Sequence, residues 1–297
     1  MSALRTSLLA VLVLLSLGFA SFWLAALRQH WRRSREVRRP SALELGIGFV
    51  TDFLDTLGVG SFATTASLFR AAKLVPDRVL PGTMNVGHVL PTALQALIYI
   101  AAIDVDVVTL VAMIAASMLG AYFGAGWVAR SSERAVRVGV GCALLAAALL
   151  ILARLLELLP AGSDAQGLSG IWLGAGVLGN FVLGALMTLG IGLYAPCMIL
   201  VALLGMNPRT AFPIMMGSCA FLMLIAGPRF VRSESYAPRP ALGLALGGLP
   251  GVWIAAKLVR EMDLTTVRWL VLIVVTWTAA SLLYAALRPR HSHVGAS

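Results

Sequence analysis

Long apolar runs separated by short charged stretches follow one another along almost the whole chain. Most runs are close to the length of about 17–25 residues that one membrane-spanning helix needs. They predict single spanning helices over residues 8–27, 76–102, 107–129, 135–159, 208–226, 241–259 and 266–287. Two further runs, residues 41–72 and 170–205, are too long for one helix and contain central glycines. Each of these two runs predicts a hairpin of two short helices.

The two long runs share one motif. Asp55-Thr-Leu-Gly-Val-Gly-Ser-Phe-Ala-Thr-Thr65 returns as Met187-Thr-Leu-Gly-Ile-Gly-Leu-Tyr-Ala-Pro-Cys197, at an offset of 132 (187 − 55). Further along, the offset becomes 131 (251 − 120), between Gly120 and Gly251. An offset that holds over about a hundred residues indicates an internal duplication.

Basic residues decide which loops face the cytoplasm. Residues 28–39 contain six arginines, which places the segment after the first run inside. If residues 170–205 form a hairpin, the arginines of residues 229–239 and the C-terminus are also inside. If they form a single span, both move outside, against the positive-inside rule. The hairpin is favoured, although it leaves the basic segment 257–268 outside.

This topology predicts an all-α polytopic membrane protein with an N-terminal anchor helix and two inverted repeats. Each repeat is a broken-helix hairpin followed by three transmembrane helices, so the copies face opposite ways. The predicted parts are the anchor and basic loop (1–40), repeat 1 (41–159), a linker (160–169), repeat 2 (170–287) and a cytoplasmic tail (288–297). A cleaved signal peptide is the alternative for the first run, but its apolar region would have only about 7–15 residues.

Composition supports a membrane protein, with 59% hydrophobic residues, 12% charged residues and a mean hydropathy of +0.90. Soluble domains have about 25% charged residues. The net charge of +10 comes from arginine clusters between apolar runs, which indicates loops beside anionic lipid and not a nucleic-acid partner. Cys142, Cys197 and Cys219 form no CxxC pair, so neither a disulfide framework nor a zinc site is indicated. No nucleophile, cofactor or metal motif stands out, so we expect no enzyme activity and no cofactor.

Each interruption places the start of a second half-helix near the middle of the membrane. The first N–H groups of a helix have no intrahelical partner and attract anions. Two such starts facing each other would bind a small anion. The predicted substrate-binding residues are Gly58, Gly60, Ser61, Thr64, Thr65, Asn85, Gly190, Gly192, Tyr194, Cys197 and Ser218. The alternative is that the glycines only allow close helix packing.

Acidic residues within a membrane are energetically unfavourable and are therefore candidates for function. Asp52 and Asp55 lie in the first hairpin and have no acidic counterpart in the second copy. Together with His88 in the next span, they are the predicted proton-coupling residues. The alternative places one or both carboxylates at the membrane interface, in contact with water, and makes His88 a packing residue. Glu44 is expected to be solvated.

These residues resemble the TauE/SafE family of membrane permeases. The resemblance rests on the duplicated Leu-Gly-Val-Gly-Ser-Phe and Leu-Gly-Ile-Gly-Leu-Tyr-Ala-Pro segments, on Val75-Pro-Asp and Asn207-Pro-Arg, and on Asn85-Val-Gly-His and Gly217-Ser-Cys. It covers roughly residues 42–287. Many members have a Gly-Gly-Gly run and a proline where this chain has Ser61-Phe-Ala-Thr-Thr65, so the site here is bulkier and richer in hydroxyl groups.

The resemblance implies a multi-pass inner-membrane transporter, with an exporter of sulfite or an organosulfonate as the expected function. Alternating access, with coupling to protons, is the expected mechanism. The partners would be the small anion and the lipid bilayer, and a homo-oligomer is compatible with this interpretation. The alternatives are transport of another small anion or organic acid, a membrane assembly subunit that carries no solute, and an intramembrane enzyme.

Overall fold

The computed structural model describes residues 3–33, 39–128, 133–156, 165–187 and 193–287. Within these residues the chain forms eleven α-helices and one short 3-10 turn, Pro208–Thr210, and no β-strand. The helices are α1 (Ala3–Arg33), α2 (Ala42–Thr56), α3 (Ser61–Ala71), α4 (Leu80–Ala102), α5 (Val107–Val128), α6 (Glu133–Leu155), α7 (Gly170–Met187), α8 (Tyr194–Leu203), α9 (Ala211–Arg232), α10 (Pro238–Glu261) and α11 (Leu264–Leu287). In the described part, six helices are long and apolar enough to cross a membrane. The predicted all-α polytopic membrane fold is therefore confirmed.

Several helix ends differ from the predicted ones, and the residues near each end explain the differences. Helix α1 continues to Arg33, beyond the predicted residue 27, because arginine and glutamine favour helix and the first proline comes only at Pro40. Helix α4 begins at Leu80, so that Pro81 lies in the first turn, where a missing N–H does no harm. Helix α9 continues to Arg232, and its basic last turn suits the negative end of a helix.

The first long run is broken where the sequence places two glycines. Gly58 and Gly60 have φ angles of 97° and 84°, which glycine adopts far more readily than other residues. Helix α3 then begins anew at Ser61. The start of α2 is stabilised by a capping box, in which Ser41 and Glu44 each bond the other's backbone N–H.

The second long run also returns to the side from which it started. The N–H of Asn207, after α8, donates to the carbonyl of Ala165, before α7, at 2.8 Å. The N–H of Asp106 in the α4–α5 connection donates to the carbonyl of Gln166 at 2.7 Å. These segments form one side of the molecule, the linker side, defined by residues 103–109, 165–168 and 206–210. Helices α7 and α8 therefore form a hairpin and not a single span.

The opposite side, the Glu44 side, is defined by Glu44 and residues 80–83 and 235–239. Its segments are joined by the N–H of Ala237, which donates to Thr83 at 2.8 Å. Glu44 itself is fully buried, so the expectation that it is solvated is wrong. One of its carboxylate oxygens lies 3.0 Å from the Arg239 guanidinium, and the other accepts from Ser41. A carboxylate with both oxygens bonded can be buried at this position.

Contacts between the helices recur at the offset seen in the sequence. A Cβ atom built on Gly120 would lie 1.8 Å from the carbonyl oxygen of Phe181, where α5 packs on α7. A Cβ atom on Gly251 would lie 2.4 Å from the carbonyl oxygen of Phe49, where α10 packs on α2. The glycines are related by the offset of 131 and the phenylalanines by 132 (181 − 49). The two halves therefore make the same close backbone contact, with the copies exchanged.

Helices α4 and α9 occupy corresponding positions of the two copies and also pack against each other. Gly82, near the start of α4, lies beside Phe230, near the end of α9. Tyr99, near the end of α4, packs on Phe212, near the start of α9, with ring centroids 5.1 Å apart. The two helices therefore run antiparallel. Such a pair is expected when the axis that relates the two copies lies across the helices, which supports the predicted inverted repeat.

We expect Gly120→Ala and Gly251→Ala to destabilise the protein by about 1–3 kcal/mol each, because the new methyl group meets a backbone oxygen that cannot turn away. Gly174→Ala in α7 is the control, since nothing lies within 4 Å of its Cβ position. That change should leave the stability unchanged or raise it by up to about 1 kcal/mol. Thermal unfolding in detergent would measure all three, and a loss in Gly174→Ala equal to the others would contradict the packing argument.

Candidate functional site

The predicted proton-coupling residues lie together in the interior. Asp52, Asp55 and His88 are 0%, 2% and 0% exposed, so the alternative of solvated carboxylates at the interface is wrong. The two aspartates share one side of α2 because their spacing is three residues. Helices α2, α3, α4 and α8 each contribute a side chain or backbone group to the hydrogen bonds of this cluster. We call the cluster the central network.

One branch of the central network runs from Asp52 through His88 to Thr65. Oδ1 of Asp52 lies 2.8 Å from Nδ1 of His88, and Nε2 of His88 lies 3.0 Å from Oγ1 of Thr65. Oδ2 of Asp52 has no hydrogen-bond partner among the described residues. A Cβ atom on Gly248 of α10 would lie 2.0 Å from this oxygen, so the carboxylate occupies space that only a glycine leaves open. The branch fixes the imidazole between an acceptor and a hydroxyl group, a suitable arrangement for holding a proton.

The other branch surrounds Asp55. One carboxylate oxygen accepts a short hydrogen bond from the N–H of Ser61, the first residue of α3. The second oxygen accepts from Nε2 of Gln95 at 2.9 Å and from the hydroxyl of Tyr194 at 3.1 Å. Asp55 thus caps the start of α3, where the sequence predicted an open anion site. In this conformation the chain's own carboxylate takes that position.

Helix α4 supplies a polar stripe that the sequence reasoning missed. His88, Thr92, Gln95 and Tyr99 follow one another at helical spacings of four, three and four residues and are all buried. Gln95 also donates to the Thr56 hydroxyl at 3.0 Å, and Tyr99 donates to the Thr56 carbonyl at 3.1 Å. The signal was present, because a polar residue on every turn of an otherwise apolar helix indicates one face turned toward other polar groups.

The second copy places neutral residues at the positions of the central network. The offset of 132 relates Asp52 to Gly184, Asp55 to Met187 and Thr65 to Cys197, and His88 aligns with Ala220 at this offset or with Cys219 at an offset of 131 (219 − 88). The Cys219 and Met187 sulfur atoms lie 4.0 Å apart. The acidic residues and the histidine of the central network therefore belong to one copy, and the other copy has sulfur-containing residues at the positions of Asp55 and Thr65.

Other predicted binding residues lie outside the central network. Ser218 is buried and accepts from Nδ2 of Asn180 at 3.3 Å, in a separate cluster. Asn85 is half-buried, and its Oδ1 has no partner in the described part of the chain. Thr64 donates to the Ser61 carbonyl of its own helix at 2.8 Å, so its hydroxyl does not reach the network. Cys197 is fully buried in α8.

The first break adjoins the second hairpin. A Cβ atom on Gly58 would lie 2.2 Å from the terminal methyl group of Met198 in α8, so the glycine permits close contact there. Around Gly60 nothing lies within 4 Å of that position. Gly190 and Gly192 lie outside the described residues. Within the described ranges, no group of three or more His, Cys, Asp or Glu side chains could hold a metal ion.

Fold and site together define a polytopic α-helical membrane protein whose two sequence copies meet at a buried acid–base network. The chain belongs to the sulfite exporter TauE/SafE family, whose model matches residues 1–151 and 47–282. At the level of the family it is a membrane transporter of sulfur-containing anions and not an enzyme. No curated protein and no solved structure matches the chain. Residues 47–151 are matched twice, as expected when the halves of a duplicated family resemble each other.

We expect Asp52→Ala to lower the free energy of unfolding by about 1–3 kcal/mol, because it leaves the buried Nδ1 of His88 without its partner. Asp77→Ala is the matched control, since the Asp77–Arg70 ion pair is largely exposed and should contribute about 0–1 kcal/mol. Unfolding in mixed detergent micelles would compare the two. Equal stability of both variants would show that the Asp52–His88 contact makes no measurable contribution to the free energy of unfolding.

Proposed function

We propose that the protein exports sulfite or an organosulfonate across the inner membrane, by alternating access between two inverted repeats and in coupling with protons. The observation that carries the proposal is the Asp55 carboxylate, which is buried and bonded to donors from both copies. Membership of a family of sulfur-anion transporters supplies the class of cargo. Asp52, Asp55 and His88 are the proposed coupling residues.

Alternating access is supported by the way the copies meet. Asp55 of the first copy is bonded to Tyr194 of the second, and α4 packs antiparallel on its counterpart α9. If the two repeats exchange conformations, one central site opens first to one side and then to the other. A rocking motion of one copy against the other would change the contact between Asp55 and Tyr194 directly.

Proton coupling is supported by the charges of the central network. No lysine or arginine forms an ion pair with Asp52 or Asp55 within the described residues. A substrate anion placed about 4 Å from an ionised carboxylate would be repelled by about 4 kcal/mol at an effective dielectric constant of 20. A proton on the carboxylate removes this repulsion. His88, bonded to Asp52, is a second group that can hold a proton.

Two alternatives use the same structure differently. Neutral donors around a carboxylate suit other oxyanions as well, so a different small anion or organic acid is the nearest alternative. A membrane assembly subunit could also contain a packed interior with Asp52 paired to His88. The family match favours a transporter over such a subunit.

The positive-inside rule supports a cytoplasmic Glu44 side, because Arg70, Lys73, Arg229, Arg232 and Arg239 lie at its helix ends and connections.

We expect a thiol reagent that cannot cross membranes to label Ser233→Cys only from the cytoplasm and Asp263→Cys only from outside. Both positions are exposed. The background would be Cys142→Ser, because the other two cysteines are buried. Labelling of both positions from the same side would overturn the topology.

We expect sulfite flux into or out of proteoliposomes to follow an imposed pH gradient in the wild type and to lose this dependence in Asp52→Asn or Asp55→Asn. The reason is that an amide cannot carry the coupled proton. Asp77→Asn, at an exposed ion pair, is the control and should behave as the wild type. If sulfite flux depends neither on the pH gradient nor on either substitution, the proposed transport is supported and its coupling to protons is excluded. Folded protein that moves neither sulfite nor any sulfonate would exclude the proposed cargo.

A further inference from the structure

The Asp55 carboxylate is held by a set of donors that resembles an oxyanion site. The Ser61 N–H comes from α3, the Gln95 amide from α4 and the Tyr194 hydroxyl from α8. All three donors are neutral, and they come from both copies of the repeat. Neutral donors aimed at one point suit an anion that must bind and then leave, since no fixed opposite charge retains it.

We propose that these donors bind the transported oxyanion, with Gln95 and Tyr194 as its side-chain ligands, and that Asp55 releases them when it takes up a proton. Asp55 is then an internal substitute for the substrate in the conformation described here. The proposal rests on the proposed function for the identity of the anion and for its transport with a proton. One proton binds one carboxylate oxygen, and no bond of the substrate forms or breaks.

The chemistry of the two anions supports such an exchange. A carboxylate and a sulfonate or sulfite ion both present acceptor oxygens to the same kinds of donors. A protonated carboxyl group donates a hydrogen bond and no longer needs all three donors. Gln95 is fully buried, and its Oε1 has no partner among the described residues. This oxygen lies beside the amide nitrogen that holds Asp55, so it offers an acceptor to the Asp55 hydroxyl once the proton has bound.

The surroundings of Asp55 leave protonation as the way to neutralise it. The titratable groups that face it are Asp52 on its own helix, His88 and Tyr99 on α4, Tyr194 on α8 and Cys219 on α9. No lysine or arginine forms an ion pair with it in the described ranges. Two anions cannot share the same three donors, so the substrate enters only as the Asp55 charge is removed.

The exchange fixes a stoichiometry. One proton accompanies each anion and moves in the same direction, because the proton leaves Asp55 when the substrate leaves its donors. A singly charged sulfonate then crosses without net charge movement. Export under this scheme requires an outward gradient of the anion that exceeds the opposing proton gradient.

A double-mutant cycle on equilibrium binding tests the proposal. The probes are sulfite, methanesulfonate, sulfate, phosphate and acetate, titrated into purified full-length protein in nanodiscs. We expect Asp55→Asn to bind the preferred anion at alkaline pH more tightly than the wild type and with less dependence on pH. In this Asp55→Asn background, Gln95→Ala and Tyr194→Phe should each weaken binding about tenfold, because each removes a hydrogen bond to a charged ligand.

The Asp55→Asn background shows whether Gln95 and Tyr194 bind the substrate or only hold Asp55 in place. If Gln95 and Tyr194 only hold the ionised Asp55, their replacement has no effect on binding once residue 55 is an amide, and the proposal is overturned. Tyr122→Phe is the control, since Tyr122 is 72% exposed on α5 and takes no part in the central network, and it should leave the affinity unchanged. Thermal unfolding of every variant checks that each is folded.

The panel of anions separates this proposal from the proposed function. If sulfate, phosphate or acetate binds with the expected coupling, and neither sulfite nor methanesulfonate binds, the proposed donor set is supported and the proposed cargo is excluded. If sulfite or methanesulfonate binds, but Gln95→Ala and Tyr194→Phe have no effect on binding in the Asp55→Asn background, the proposed cargo is supported and the proposed donor set is excluded. Folded wild type and Asp55→Asn that bind none of the five anions would exclude both.

Discussion

The bond between the Asp55 carboxylate and the start of α3 is the interaction on which the rest of the site depends. A helix that begins in the middle of a membrane exposes N–H groups that hydrocarbon cannot satisfy. Asp55 satisfies the first of them from the preceding helix, across a turn that needs positive φ at Gly58 and Gly60. The break in the helix and the buried acid are therefore one feature.

The two copies share their helix packing but differ in their charged residues. Both copies retain the same helix order and the same close glycine contacts, with Gly120 on Phe181 and Gly251 on Phe49. Only the first copy has the acids and the histidine of the central network, while the second has Gly184 and Met187 at the positions of Asp52 and Asp55. Symmetric packing is what an exchange of conformations requires, but a coupled proton needs only one binding place. Because these residues occur in one copy only, no second set of carboxylates is buried.

The sequence predicted the elements and the acidic centre well, because both produce patterns along the chain. Apolar runs and isolated acids in a membrane segment are local signals, and the repeat is seen when the sequence is compared with itself. What the sequence reasoning missed depends on distant partners. Glu44 was expected in water, yet its burial depends on Arg239, 195 residues away. Thr64 and Thr65 look alike in sequence, but one residue turns a helix by about 100°. Only Thr65 therefore faces His88.

In the mechanism proposed above, the position of Tyr194 links substrate binding to conformational change. Its hydroxyl connects α8 of the second copy to Asp55 of the first, so any motion that parts the copies must lengthen this bond. The same bond is lost when Asp55 is protonated and no longer needs the hydroxyl as a donor. A substrate oxyanion that takes the place of the carboxylate restores the bridge between the copies. In this mechanism either the ionised Asp55 carboxylate or the bound substrate anion accepts the Tyr194 hydrogen bond, and never both at once. The exchange of conformations between the copies therefore depends on which of these two anions is present.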